Sequence, residues 1–514
     1  MKNNIIKKFI VIITLIFALG CSVNTDINTN PDGITSATPD LLASKLILDI
    51  TRDDINRVKG FMENFLRDKY ILWTEGAESE QYNQLDRADF NEISRLIETK
   101  KMMEALDGFP EGIANSYRGL AHFVRAYNFF LVTMKVGDIP YSEALKGEDE
   151  GIIRPKYDTQ KDVFIGILKE LDMADQMFAN GSVFSGDMIY GGDPVRWRKM
   201  VNSFQLKVLM NLYRKTGDTD LKVVERFKDI VDNKPIFSSN EDNFSLVYQN
   251  AVGQFAPWNN QGNNHSIYPM VSSVLIDRLK GLNDYRLFYY ATPSLMQISN
   301  GMSESDFDAY IGVNPALEYT TTTAIYSSGD YCDVNDRYKV LPEGEPVYLL
   351  SYAQVQFMIA EAAVRGWVSK NAEVHYVSGI KASMSLIAGN TPDNMAFHHG
   401  RIMDQDYIDN YYQTTPQVQL GGTDEERIEQ IIVQKYLSNF LQSPNSSFFE
   451  NRRTGYPVFE VNPSSNLNVP ADKLPVRWMY PTAELEQNSD NVLEAINRQY
   501  NGNDNNNGVM WILQ

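Results

Sequence analysis

One stretch limits this chain's fold more than any other: IANSYRGLAHFVRAYNFFLVTMKVGDIPYSEAL, residues 113–145. Ile113, Tyr117, Leu120, Val124, Tyr127, Leu131 and Met134 recur at alternating gaps of four and three. That spacing predicts one long helix with a continuous apolar seam. Phe123, Ala126 and Phe130 widen the seam, so the helix should lie deep in the body. Gly137-Asp138 supplies a C-terminal cap and Pro140 forbids continuation. By itself this pattern implies a packed scaffold and no chemistry.

Further amphipathic helices are expected on both sides. Leu41, Leu42, Leu46 and Ile50 begin one, and Phe61, Phe65, Ile71, Leu72 and Trp73 suggest another. Glu92 to Leu106 is helical and leads into the central stretch. Asp158 or Thr159 caps a helix closed by Gly181, and Asp193-Pro194 opens the next with an acid at the cap and proline in the first turn. A short helix carries Val223, Val224, Phe227 and Val231. Residues 235–345 change character: Gly, Asn, Ser, Thr and Tyr dominate, as in a loop-rich insertion. Glu345-Pro346 is expected to start another helix reaching Trp367, paired with one from Glu373 to Ile387. Thr423-Asp-Glu-Glu426 is a capping box. The fold class is therefore mainly α, with tetratricopeptide-like helical hairpins and loop-rich insertions, although the repeat consensus is absent.

The N-terminus reads differently. Lys2, Lys7 and Lys8 precede an apolar run, Phe9 to Leu19, broken by Thr14 and ending at Gly20-Cys21. This is the pattern of a secretory signal, residues 1–20, too short to span a bilayer. Cys21 directly after Gly20 points to a lipoprotein signal, with Cys21 as the lipidated residue. Residues 21–39 are rich in Asn, Thr and Asp and are expected to form a flexible tether. Residues 40–514 then form the body. Acylation at Cys21 would leave Cys332 without a disulfide partner. A formal net charge of −19 argues against nucleic acid and against anionic lipid as partners, leaving the lipid anchor as the membrane contact.

No catalytic or nucleotide-binding signature is present, and neither a cofactor nor a metal is expected. His122 reads as a core residue, and adjacent His398 and His399 lack the partners a zinc site needs. Asp330, Asp333 and Asp336, and the Asn501–Gly508 tail, are candidate calcium loops that read better as solvated turns. Sugar recognition suits the composition more closely, since it needs flat aromatic faces beside amides and charged groups. Two loops supply that mixture. Residues 73–90 offer Trp73, Glu78, Tyr82 and Asn83; residues 254–270 offer Trp258, Asn260, Gln261, Asn263 and Tyr268. The competing expectation for Trp258 and Tyr268 is that they pin their loop to the body.

Several blocks, in order, carry a resemblance. They are Val136-Gly-Asp-Ile-Pro-Tyr-Ser-Glu-Ala144, Pro155-Lys-Tyr-Asp-Thr-Gln160, Asp193-Pro-Val-Arg-Trp-Arg-Lys-Met-Val-Asn202 and Ala360-Glu-Ala-Ala-Val-Arg-Gly-Trp367. Ile432-Val-Gln-Lys-Tyr436, Glu450-Asn-Arg-Arg-Thr-Gly-Tyr-Pro457 and Leu474-Pro-Val-Arg-Trp-Met-Tyr-Pro481 follow. Together with the lipoprotein signal, the chain resembles SusD/RagB-type outer-membrane nutrient-binding lipoproteins. The resemblance implies a non-enzymatic lid that captures an oligosaccharide or peptide. It would deliver that ligand to a SusC-like TonB-dependent transporter, with the protein lipid-anchored at the outer membrane and facing outward. It also implies that ligand residues lie on variable loops, so the shared blocks do not transfer as binding residues. Ser22-Val-Asn-Thr-Asp26 departs from the acidic run such surface lipoproteins often carry. A surface glycan hydrolase and a helical adhesion scaffold remain the competing classes.

Overall fold

Apolar spacing translates into helices from the first described residues onward. The structure, a computed structural model, describes residues 37–52, 62–76, 78–259 and 269–514. Helix α1 (Pro39–Thr51) buries Leu42, Leu46 and Ile47. A single turn at Glu63–Arg67 gives way to strand β1 (Ile71–Leu72), where a continuing helix was expected. The strand's partners lie 200 residues downstream, so local pattern could not reveal it.

Helix α2 (Glu111–Val136) is the central stretch, with Leu120, Phe123, Val124 and Phe130 buried. It packs on α3 (Gln160–Ala179), which packs on α4 (Pro194–Asn211), followed by α5 (Val223–Asn233). The caps are those the sequence names. The Thr159 side chain accepts from Asp162 N, and Asp193 from Val195 N with Pro194 in the first turn. Phe123 sits at an aromatic hub, its ring 5.5 Å from Trp197 and 5.8 Å from Phe204.

The turn after α2 is sealed from within. Gly137 has φ +96°, and a Cβ there would collide with Gln499 and Tyr500. Asp138 is buried; its carboxylate accepts from Gln160 N at 2.7 Å and pairs with Arg498 at 2.7 Å. Burial pushes that carboxyl up to about 6 although Arg498 pulls it down. The Tyr141 ring lies against Gly166 of α3, where any side chain would clash.

Strands β2 (Phe244–Leu246), β3 (Met270–Val271) and β4 (Ala291–Thr292) fall within 235–345, together with helix α6 (Tyr319–Ser328) and β5 (Asp333–Val334). One sheet runs in the order β1-β3-β5-β4, all neighbours antiparallel, with Ile71 opposite Val271 and Leu72 opposite Met270. Leu72 and Met270 face a small cluster with Val313 that Ile325 and Tyr326 of α6 help cover. Strand β6 (Val347–Leu350) pairs with β2. The helix expected from Glu345-Pro346 therefore starts later: α7 (Tyr352–Val364) begins at a Ser351–Gln354 capping box. Helix α8 (Ala372–Gly389) packs against it, Gly379 admitting the Phe357 ring.

Helix α9 (Asp424–Ser438) starts at the Thr423–Glu426 capping box, followed by α10 (Ser446–Thr454) and α11 (Ser489–Tyr500). Residues Pro39–Gln514 make one compact unit with two main apolar cores. Helix α7 faces both: Val355, Met358 and Ile359 enter one, Phe357 and Ala360 the other. Buried ion pairs lie beside it, Arg453 meeting Glu361 at 2.6 Å and Glu450 at 2.5 Å, and Lys435 meeting Glu450 at 2.5 Å. Among the described residues no helix is long and apolar enough to cross a membrane.

Candidate functional site

The loop after β1 borders a recess against the helices. Its far end is tied down: Ala88 N donates to Met479 O at 2.8 Å, and Arg87 reaches Tyr480 O and Asp504. Between this loop and the helices lies a cavity of about 380 Å³, within the range of small-molecule sites. Helical spacing places Tyr127, Phe130, Leu131 and Lys135 of α2 along one wall, and Phe204 with Lys207 of α4 along another. Asn445, with φ +60°, turns the chain into α10, and Phe449 and Trp478 complete the aromatic lining. Asp86, Arg87, Asp89 and Arg95 are exposed at the rim.

Most charges in this wall are engaged. Lys135 pairs with Glu92 at 2.6 Å, and Arg95 donates to Asp49 O at 3.2 Å. Arg67 donates to Asn64 and Asn445 and lies 5.0 Å above the Trp478 ring. The Lys207 ammonium makes no hydrogen bond or ion pair among the described residues. Burial lowers its pKa to about 8, reinforced by the nearby Lys435. Aromatic faces, carboxylates and amides around one cavity are the groups that hold a hydroxylated ring or a short peptide.

The structure corrects the expectation that Trp73, Tyr82 and Trp258 offer open aromatic faces. They are 2%, 4% and 5% exposed, and both tryptophans belong to the second apolar core. Ile71–Leu72 and Met270–Val271 pair beside that core, and Trp73 and Trp258 pack into it. Trp258 lies 6.0 Å from the Phe65 ring, and Trp73 N donates to Gln81 Oε1 at 2.7 Å. Glu78 and Asn83 are half-buried. Asn83, at φ +63°, turns away from the cavity and donates to Asn466 at 3.2 Å. Asn260, Gln261, Asn263 and Tyr268, like Cys21, lie outside the described residues. Of the described residues named from the sequence, Trp73, Tyr82, Asn83 and Trp258 do not line the cavity, although Glu80 and Asp86–Asp89 of the first loop do.

The other candidates are structural. His122 contacts Glu170 at 2.5 Å, with Arg125 on the same carboxylate. His398 and His399 contact Asp393 and Glu304. Asp330 accepts from Ser294 and Gln297, whereas Asp333 and Asp336 share Lys339. Asp504 in the Asn-rich tail binds Arg87 and Arg477. Among the described residues no three metal-ligating side chains converge. Sequence reasoning passed over Lys207, Phe449 and Trp478. Trp478 and Asn445 sit in or beside shared blocks set aside as scaffold, and Lys207 adjoins the apolar stripe of Phe204 and Val208, the one sign that could have marked it.

Comparison with known proteins agrees with this architecture. The family described as SusD-like_2, starch-binding associating with outer membrane, matches residues 31–481. A SusD homologue from Bacteroides fragilis is 43% identical with a TM-score of 0.89, covering 93% of this chain and 100% of that one. A second from the same species is 35% identical, TM-score 0.81, with the same coverage. A chitin-binding SusD homologue from Flavobacterium johnsoniae, 20% identical with TM-score 0.70, covers 93% of this chain and 98% of its own and shares the fold. No curated protein matches the chain.

Proposed function

The chain belongs to the SusD-like family, and from that premise we propose that it is a non-enzymatic nutrient-capture protein of the outer membrane. It takes up an oligosaccharide, or a short peptide, and hands it to a SusC-like TonB-dependent transporter. Lipid attachment through Cys21 keeps the body at the cell surface. Two or three acyl chains, at about 0.8 kcal/mol per buried methylene, make such an anchor effectively permanent.

The observation that supports this reading best is the cavity under residues 73–90, with half-buried Phe449 and the buried rings of Trp478 and Tyr127 in its wall and carboxylates at its mouth. A ligand ring packs against Phe449, which Trp478 supports from the core, while hydroxyls meet the polar rim. Capture without chemistry needs affinity that the transporter can overcome, which suits a site open along one edge.

Calorimetric titration of the purified protein with a panel of oligosaccharides and short peptides tests the proposal. Saturable binding without product formation, weakened by Trp478→Ala, is the expected result. Hydrolysis of a bound glycan would replace capture with catalysis. Co-purification of a TonB-dependent barrel from membranes tests the partner, and its absence would remove that half of the proposal.

A further inference from the structure

Within the cavity proposed as the capture site, charge is not distributed evenly. The acids Asp86 and Asp89 are exposed at the mouth and Asp49, Glu63, Glu80 and Glu92 are half-buried in the lining, whereas Lys207 is the cation on the inner wall beside Phe204. Each other cation of the wall has a partner: Arg67 its two asparagines, Arg87 the Asp504 carboxylate, Arg95 the Asp49 carbonyl and Lys135 the Glu92 carboxylate. Lys207 has none among the described residues.

The charges behind it do not supply one. Lys435 is like-charged and held by Glu450, and Glu450 is shared with Arg453. Asp68 accepts from Phe448 N at 2.7 Å, and burial pushes its carboxyl up to about 7, so near neutrality it is only partly ionised. Lys207 is half-buried, and an ammonium partly withdrawn from bulk water without a counter-ion costs free energy. A ligand that brings the counter-ion recovers that cost on binding.

We infer that the cavity selects a ligand bearing a carboxylate, received by the Lys207 ammonium, with the ligand's neutral hydroxyl or amide body toward the acidic mouth. This rests on the reading of the cavity as the capture site. One ammonium matches one negative charge. A phosphate or sulfate ester calls for the several donors that such groups normally recruit, and the neighbouring Asn128 amide is already committed to Val124 O at 3.0 Å. The carboxylate can come from a uronic acid or from the C-terminus of a peptide. Both place one planar anion at the end of a polar chain.

Two matched pairs of probes separate the sources: digalacturonic acid against its methyl ester, and trialanine against its C-terminal amide. Calorimetry on the full protein should show one acid binding about tenfold or more tightly than its neutral counterpart. Lys207→Met should erase that preference while leaving the neutral counterpart's affinity in place, and Lys207→Arg should retain it. Circular dichroism on each variant confirms that the fold is intact. Equal binding of acid and neutral forms, or a preference that survives in Lys207→Met, overturns the assignment. So does failure of both acids to bind. In that case maltotriose or chitotriose binding that Trp478→Ala abolishes leaves the capture reading standing, whereas no binding of any probe removes both.

Discussion

Helix α2 ends in one polar site and walls another, and the two differ in how their polar groups are satisfied. In the Gly137–Tyr141 turn, Asp138 is bound by Gln160 N and Arg498, and Asp158 accepts from Tyr141 N and Ser142 N. Nothing there is left for a ligand. Within three turns back along the same helix, Tyr127, Leu131 and Lys135 face a cavity whose opposite wall carries the Lys207 ammonium, unpaired among the described residues. The most recognisable motif of the chain is thus self-contained, while the binding capacity lies where polar groups are not fully matched. Recognition motifs and recognition sites are physically different things in this molecule.

Substitutions can break or sharpen that contrast. The largest losses are expected on the sealed side. Arg453→Met removes one of the two cations on each of buried Glu361 and Glu450, leaving Arg365 and Lys435, and should cost about 3–5 kcal/mol in a denaturant melt. Trp73→Ala and Trp258→Ala should cost a similar ~3–5 kcal/mol, because both rings fill the core. A melting temperature unchanged by either would return them to the list of ligand contacts. Asp138→Ala should cost about 1–3 kcal/mol by freeing Gln160 N and Arg498, with ligand affinity unaltered.

The pH dependence should reflect both kinds of group. For Glu361 and Glu450, burial raises the carboxyl pKa but Arg453 and its neighbours win and hold it below the usual range. Their stabilisation is present above the unfolded-state pKa of about 4.3 and is lost as pH falls through the depressed folded values. Asp68 has the opposite sign. Its folded carboxyl, at about 7, binds a proton more readily than the unfolded one, so acidification from pH 8 toward 5 stabilises. Between about pH 7 and 5 the Asp68 contribution should therefore raise the melting temperature as pH falls, and Asp68→Asn should flatten that rise. The smallest effect belongs to Lys207→Met, which keeps the apolar stem and removes a charge unpaired among the described residues. Stability should rise by on the order of 1 kcal/mol, and a loss instead would mean that the ammonium already has a structural partner.

Local chemistry explains which parts were legible in the sequence. Helix α2, its stop at Gly137 and the caps at Thr159, Asp193 and Thr423 depend on residues within a few positions of one another, and each stands where the pattern puts it. Strands β1 and β6 are two and four residues long. They exist only through partners far along the chain, so a local reading extended helices across both. The binding site suffered the same way. Trp73 and Trp258 occupy polar, loop-like contexts in sequence, and only the antiparallel sheet shows that their rings turn inward. The cavity gathers side chains from α2, α4, α10 and the loop before Glu92, a convergence with no signature along the chain.

Filling the cavity tests the account most directly. Leu131 is half-buried on its wall, so Leu131→Trp places an indole in the space a ligand would take. Binding of the best ligand found for the wild type should fall by at least about tenfold, with the melting temperature essentially unchanged. Undiminished binding by a folded Leu131→Trp protein would contradict the account and place the capture site elsewhere on the molecule.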